Sequence, residues 1–273
     1  MLTVPFTSVE NIPKLRALVL RVPLTERITM RKETLFRTCF FFVTSTTAKC
    51  GIKFIFLDAY TLGAAAKRQI DELTRGGKDI EAILNLHPFH TLHVQKMHEM
   101  FPRARLYGTA RHLSRFPELP WANTHTDDPA LHKQYAEDLE FSVPRGVDFI
   151  SANEDVHFSS VLALHRASKT IHVDDTLVYV RLPVLMRWFG LKDALGFHPT
   201  LAKALEKRAG SARDFREWAN GLIECWKEAE NLCAAHTTVL LADDKQGTSI
   251  GTRLQKALDR VDKTLKSHER KYG

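Results

Sequence analysis

The sequence predicts an α/β protein in which two mixed β-sheets pack face to face with helices on both outer faces. Three observations carry this expectation. Strand-like and helix-like segments interleave through both halves of the chain, they do so without a strict βαβ repeat, and no glycine-rich phosphate loop follows any strand. At 273 residues the chain can bury a substantial core. A hydrophobic content of 44% with 26% charged residues is ordinary for a soluble globular protein. There is no internal repeat and no low-complexity tract. Residues 1–273 are expected to form one domain, with a helical insertion at about 183–232 and a basic helix at about 252–271.

Taken in order, "RALVLRVPL" and "FRTCFFFVTST" read as strands, and "KCGIKFIFLDAY" as a third that ends on Asp58. "TLGAAAKRQIDELTRGG" is helical, with Gly76 and Gly77 as a C-terminal stop. "DIEAILNL" is a buried strand, "HVQKMHEMF" a short helix and "ARLYGT" another strand. A loop with prolines and a polar stretch separate these from three further strand candidates, "GVDFISA", "HFSSVLALHR" and "KTIHVDDTLVYV", the last two joined as a hairpin through "RASK". From Pro183 to Cys233 the chain is mainly helical in character, with Trp188, Phe189, Phe197, Trp218 and Trp226 as core bulk. "CAAHTTVLLADD" supplies one last strand before the basic helix.

The net charge of +7 raises the question of a nucleic-acid partner. Residues 253–273 hold seven Lys or Arg against three Asp or Glu, so more than half of the excess sits in this one segment. Leu254, Leu258, Val261 and Leu265 recur at helical spacing there, which describes an amphipathic helix docked by its apolar side with its charges in water. The expected partner is therefore a small-molecule substrate rather than a nucleic acid. No apolar run reaches the roughly 20 residues of a membrane span, since residues 182–191 are interrupted by Arg187. The N-terminus lacks the basic start and apolar block of a signal peptide, and a cytoplasmic protein is expected. Cys39, Cys50, Cys225 and Cys233 form no CxxC pair, as expected of thiols in a reducing compartment.

The chemistry-bearing residues gather beside predicted strands. "LHPFHTLHV" holds His87, His90 and His93, "EDVHFSSV" holds His157, "IHVDDTL" holds Asp174 and Asp175, and "CAAHTTV" holds His236. A metal needs lone-pair donors that converge, and loops at one edge of a sheet can supply them. His90 and His93 share a face if the following helix has begun. His87 stands just before Pro88, which interrupts the strand ladder. Successive strand residues alternate faces, so Asp174 and Asp175 cannot both point inward if the strand stays regular. The remaining histidines, His165, His172 and His198 among them, read as loop residues or cross-strand partners.

In order and spacing these segments resemble the metallo-β-lactamase-fold hydrolases, an αβ/βα sandwich superfamily with metal-binding loops along one edge. "FIFLDAY" resembles the strand that ends in aspartate, "AILNLHPFHTLHVQKMHEMF" the strand, histidine-rich loop and helix that come next, and "IHVDDTLVY" the strand end with the metal-bridging aspartate. The resemblance covers residues 37–243. It implies metal ligands among His87, His90, His93, His157, Asp175 and His236, with Asp175 as the bridging, catalytically important carboxylate. It implies that Asp58 orders the metal loop rather than binding metal. The superfamily loop usually reads His-x-His-x-Asp-His. Laid over "PFHTLH", it matches His90 and His93 but meets Pro88 at the first histidine and Leu92 at the aspartate, with His87 one residue out of register. The chain resembles a divergent branch with a degraded metal loop.

The function expected from this resemblance is a metal-dependent hydrolase that uses a metal-bound hydroxide on a small ester, lactone or thioester. Zinc, as one or two ions, suits imidazole and carboxylate donors, and iron or manganese would also fit. Two alternatives stay open: a non-catalytic protein that kept the sandwich and lost part of the site, and a nucleic-acid phosphodiesterase that uses the basic helix.

Overall fold

The computed structural model describes residues 53–182, 184–191, 193–235, 239–242 and 248–273, together with the backbone of two earlier strands. The first sheet runs in the order β1 (Ala17–Pro23), β2 (Phe36–Thr44), β3 (Lys53–Leu57), β4 (Ile80–Leu84) and β5 (Arg105–Tyr107). β1, β2 and β3 pair antiparallel, and β3, β4 and β5 pair parallel. Parallel neighbours need crossovers, and the helices α1 (Ala64–Leu73) and α2 (Val94–Met100) supply them. Gly76 and Gly77, both at positive φ, follow α1 as expected of a left-handed helix stop.

Two short helices come next, α3 (Ala110–Arg115) and α4 (Pro129–Gln134), then the strands β6 (Leu139–Ser142), β7 (Leu162–His165), β8 (Thr170–Val173) and β9 (Leu177–Val180). The remainder is α5 (Val184–Trp188), β10 (Ala194–Phe197), α6 (Leu201–Ala204), α7 (Ser211–Trp226), β11 (Asn231–Ala234), β12 (Val239–Leu240) and α8 (Ile250–Tyr272). The second sheet has the order β12-β11-β8-β7-β6, while β9 and β10 pair as a separate ribbon.

Strand alternation sorts the core into layers. On β3, Ile55 and Leu57 face the second sheet, where they meet Ala163 of β7 and Cys233 of β11. Phe54 and Phe56 face outward under Ile70 of α1 and Met97 of α2. On the other side, Leu162, Ile171 and Leu232 pack under Phe215 and Trp226 of α7 and Leu254 and Leu258 of α8. The result is helix, sheet, sheet, helix, as the interleaved pattern predicts.

Several local expectations are corrected. "GVDFISA" forms only an isolated bridge, Val147 to Leu205. Gly146 at φ 71° turns the chain against α7 so closely that a Cβ there would stand 2.0 Å from the Ser211 carbonyl oxygen. The edge strand comes instead from "LEFS", which is β6. "KTIHVDDTLVYV" is broken into β8 and β9, because the Asp174 carbonyl accepts the Leu177 N–H in a turn. The expected helical insertion contains a strand, β10, paired with β9. Trp188 and Phe189, expected in the core, are 83% and 76% exposed. "CAAHTTVLLADD" makes two antiparallel strands, β11 and β12, rather than one.

α8 also differs from a plain solvated basic face. Arg253 is buried, where it donates to the Thr248 and Asp193 carbonyls and lies over the Tyr179 ring. Arg260 donates to the Leu195 carbonyl, and Asp262 and Glu269 pair with Arg216 of α7. Among the described residues, no helix is long and apolar enough to cross a membrane.

Candidate metal centre

A cleft of about 830 Å³ opens where the C-terminal ends of β3 and β8 and the loop after β4 come together. Asp58 follows β3 directly, at φ 67°. Its Oδ1 accepts the Leu86 N–H at 2.7 Å and the His87 N–H at 3.4 Å, so one carboxylate oxygen sets the start of the histidine loop. Its Oδ2 accepts from His172 Nε2 at 2.8 Å. Alternation turns His172, unlike Ile171 and Val173, toward the first sheet, which is why this pair bridges the two sheets.

The loop itself is tightly wound. The His90 N–H donates to the His87 carbonyl, and the two imidazoles lie 4.0 Å apart in a stack. His87 is fully buried; its Nδ1 accepts the Phe89 N–H at 3.1 Å and its Nε2 lies 3.2 Å from Asp175 Oδ2. His90 sits between two carboxylates, with Nδ1 3.6 Å from Asp174 and Nε2 3.6 Å from Asp175. Beneath it, His112 accepts the Thr109 N–H at Nδ1 and directs Nε2 to the His90 carbonyl at 3.4 Å. Burial pushes the His112 pKa down to about 4, so this support stays neutral.

Donor atoms of His87, His90 and Asp175 all lie within 4.8 Å of one another, and so do those of Asp58, His90 and Asp174. His93 and His157 join neither group. His93 points away to Thr61, with Nδ1 3.0 Å from the hydroxyl and its ring 4.8 Å from that of Tyr60. His157 lies in the loop before β7; its ring stacks on Phe89 at 4.6 Å and stands 6.2 Å from that of His87. His236 lies outside the described residues. Leu92, aligned with the aspartate of the usual loop, is 71% exposed and belongs to the cleft's outer rim.

Three residues beyond the expected set belong to this centre. Asp174 and Asp175 both line the cleft, because β8 ends at Val173 and strand alternation no longer governs the two residues after it. Thr176 fixes this turn: its hydroxyl donates to the Phe158 carbonyl and accepts the Ser160 N–H. A turn-prone Asp-Asp-Thr after a short apolar strand was the available signal. His172 could have been found from its strand phase. His198 had no sequence signal; the exit of β10 brings it to the cleft, where its N–H bonds the Thr176 carbonyl at 3.3 Å.

The electrostatics suit a cation. Burial and the Asp58 charge push Asp174 up to about 6, against the pull of His90 and His172. Burial alone would lower His172, but Asp174 and Asp58 outweigh it and raise it to about 9. Burial likewise works against the Asp58 anion, yet His172 holds it well below the usual carboxylate range. Both oxygens of Asp174 and Nε2 of His87 are buried without a hydrogen-bond partner. Buried polar atoms normally find one. These orphaned donors, clustered with His90 and Asp175, fit a divalent metal ion.

No protein-family model and no curated protein sequence matches the chain. Solved structures do. TMB-1 superposes with a TM-score of 0.54 at 10% identity, over 97% of this chain and 99% of that one. The metallo-β-lactamase of Erythrobacter litoralis gives 0.53 at 11% identity, over 93% of each chain. DIM-1 metallo-β-lactamase gives 0.51 at 9% identity, over 92% of this chain and 96% of that one. At such identities the likeness concerns architecture, and with two mixed sheets under outer helices and a donor-rich cleft at one edge, the chain has the metallo-β-lactamase fold.

Proposed function

We propose that the protein is a metal-dependent hydrolase of a small ester, lactone or thioester. The observation that carries this is the convergence of His87, His90 and Asp175, with buried donor atoms left unpaired beside them. His90 and Asp175 would hold the ion most readily. His90 lies between two carboxylates, Nδ1 3.6 Å from Asp174 and Nε2 3.6 Å from Asp175, so that with a metal on Nε2 the Asp174 carboxylate would stand on the side from which it can orient the imidazole. His87 is the harder ligand. Its Nδ1 accepts a backbone N–H, so Nε2 carries the proton in the neutral ring, and coordination through Nε2 would cost the Phe89 contact. Zinc suits this donor set, with iron or manganese as substitutes. When bound, such an ion lowers the pKa of a coordinated water to about 7 and polarises a carbonyl.

The protein's own groups then position and exclude. Asp58 keeps the histidine loop docked through the Leu86 and His87 amides. Tyr60, Phe89 and Phe116 give the cleft apolar walls suited to a small, weakly charged substrate. The burial of Arg253 against Tyr179 takes one charge of α8 out of solvent, and the Asp262 and Glu269 carboxylates are interspersed among the remaining basic residues, so α8 is not a uniformly cationic face; this favours the small-molecule reading over a phosphodiesterase.

Metal analysis of protein purified without chelator tests the proposal. One to two equivalents of transition metal are expected, and His90→Ala should lose most of it and melt lower than wild type. Wild-type protein that carries no metal and whose melting does not respond to zinc would sink the hydrolase reading.

A further inference from the structure

We propose that His198 is a catalytic residue of this centre: a neutral imidazole that offers Nε2–H to the substrate oxygen and does not bind the metal. This deepens the hydrolase reading and rests on it. The tautomer of His198 decides its role. The Thr200 N–H donates to His198 Nδ1 at 3.3 Å, and a backbone amide cannot reverse its role. Nδ1 must therefore present its lone pair, and the Thr200 hydroxyl, 2.7 Å away, is free to donate to it as well. In the neutral ring the proton then sits on Nε2. Coordination through Nε2 would need that proton moved to Nδ1, with loss of the Thr200 amide bond, a cost that His87 would share; what sets His198 apart is that it belongs to neither group of converging donor atoms among the described residues. The ring is also placed for a substrate. It lines the cleft with His90, His157 and Asp175, and its own N–H is tied to the Thr176 carbonyl, one residue beyond Asp175.

Attack on an ester, lactone or thioester carbonyl shifts an electron pair onto the carbonyl oxygen. A fixed N–H aimed at that oxygen stabilises the developing charge without being consumed, since no proton leaves His198. Removing one such donor typically lowers kcat by about 10²–10³-fold.

The experiment uses the full chain in metal-free and zinc-loaded forms, with His198→Phe (ring kept, donor lost) and His198→Gln (a side-chain N–H kept). Long-range proton–nitrogen spectra of histidine-labelled, metal-free protein, assigned by the signals lost in His198→Gln, should show the Nε2–H tautomer. Zinc stoichiometry of His198→Phe should equal that of wild type. Turnover of p-nitrophenyl acetate should fall about 10²–10³-fold in kcat in His198→Phe with little change in KM, and His198→Gln should recover part of it. An Nδ1–H tautomer, loss of zinc in His198→Phe, or undiminished kcat in that variant would each overturn the proposal while leaving the hydrolase reading intact. Failure of the hydrolase reading looks different: wild-type protein then takes up no zinc or hydrolyses no ester, and the catalytic role of His198 falls with it.

Discussion

Replacing Asp58 by asparagine isolates the charge that ties the two sheets together at the cleft. Asparagine tolerates the left-handed backbone required at φ 67°, and its amide oxygen can still accept the Leu86 N–H. The anion facing His172 disappears. The rise of His172 from 6.5 to about 9, at roughly 1.4 kcal/mol per pH unit, corresponds to about 3 kcal/mol that Asp174 and Asp58 supply together, so the share of Asp58 is on the order of half of it. Breaking a buried pair outright typically costs about 3–5 kcal/mol, and the cost here is smaller because Asp174 stays beside His172. For a domain of this size a loss of about 1.5–3 kcal/mol should lower Tm by about 3–12 °C at pH 6. The pH course has a definite sign. His172 is raised on folding, so its share is fully present below 6.5 and is lost as pH climbs through about 9. Asp58 is lowered, so its share is present above 3.8 and lost only in stronger acid. The gap in Tm between wild type and Asp58→Asn, followed by calorimetry on chelator-treated protein, should therefore narrow from pH 6 to pH 9.5. Equal melting at pH 6, or a gap that widens with pH, would refute the reasoning.

Asp175→Asn should weaken zinc binding by at least about 10–100-fold in a competition titration, because it removes the anion that lies 3.2 Å from His87 and 3.6 Å from His90. Asp174→Asn should fall within that same range through release of His90, and an Asp174 variant with wild-type affinity would show that this carboxylate does not orient the ring. Gly146→Ala should cost at least about 2 kcal/mol in urea unfolding, since the new Cβ meets the Ser211 carbonyl at 2.0 Å and φ is 71°. Gly221→Ala, with open space around its Cβ inside α7, is the control and should be neutral or slightly stabilising.

Residues that act through local pattern are legible in the amino-acid order itself. The two-residue alternation of "KFIFL" separates Phe54 and Phe56 from Ile55 and Leu57, and it places them on opposite faces of one sheet in the folded protein. The apolar spacing of α8 puts Leu254, Leu258 and Leu265 in the core. Such patterns survive because side-chain direction follows directly from strand and helix period. The segments that carry Asp58, His87, His90 and Asp175 are legible for a related reason: each stands where an apolar strand stops, and strand ends are what a sheet edge collects.

Tertiary structure alone decided how those strand ends are finished. Alternation argued that Asp174 and Asp175 face opposite ways, but Thr176 bonds across to Phe158 and Ser160 and ends β8 one residue earlier, so both carboxylates enter the cleft. His93 shares a short loop with His90 yet turns to Thr61, because α2 has its N-cap at that residue and its ring finds Tyr60. His172 and His198 reach the centre through partners 114 residues away in the first case and through a backbone bond to Thr176 in the second. Period and composition describe a residue's neighbours along the chain, whereas a metal centre is defined by neighbours across it, and only the packed sheets bring those together.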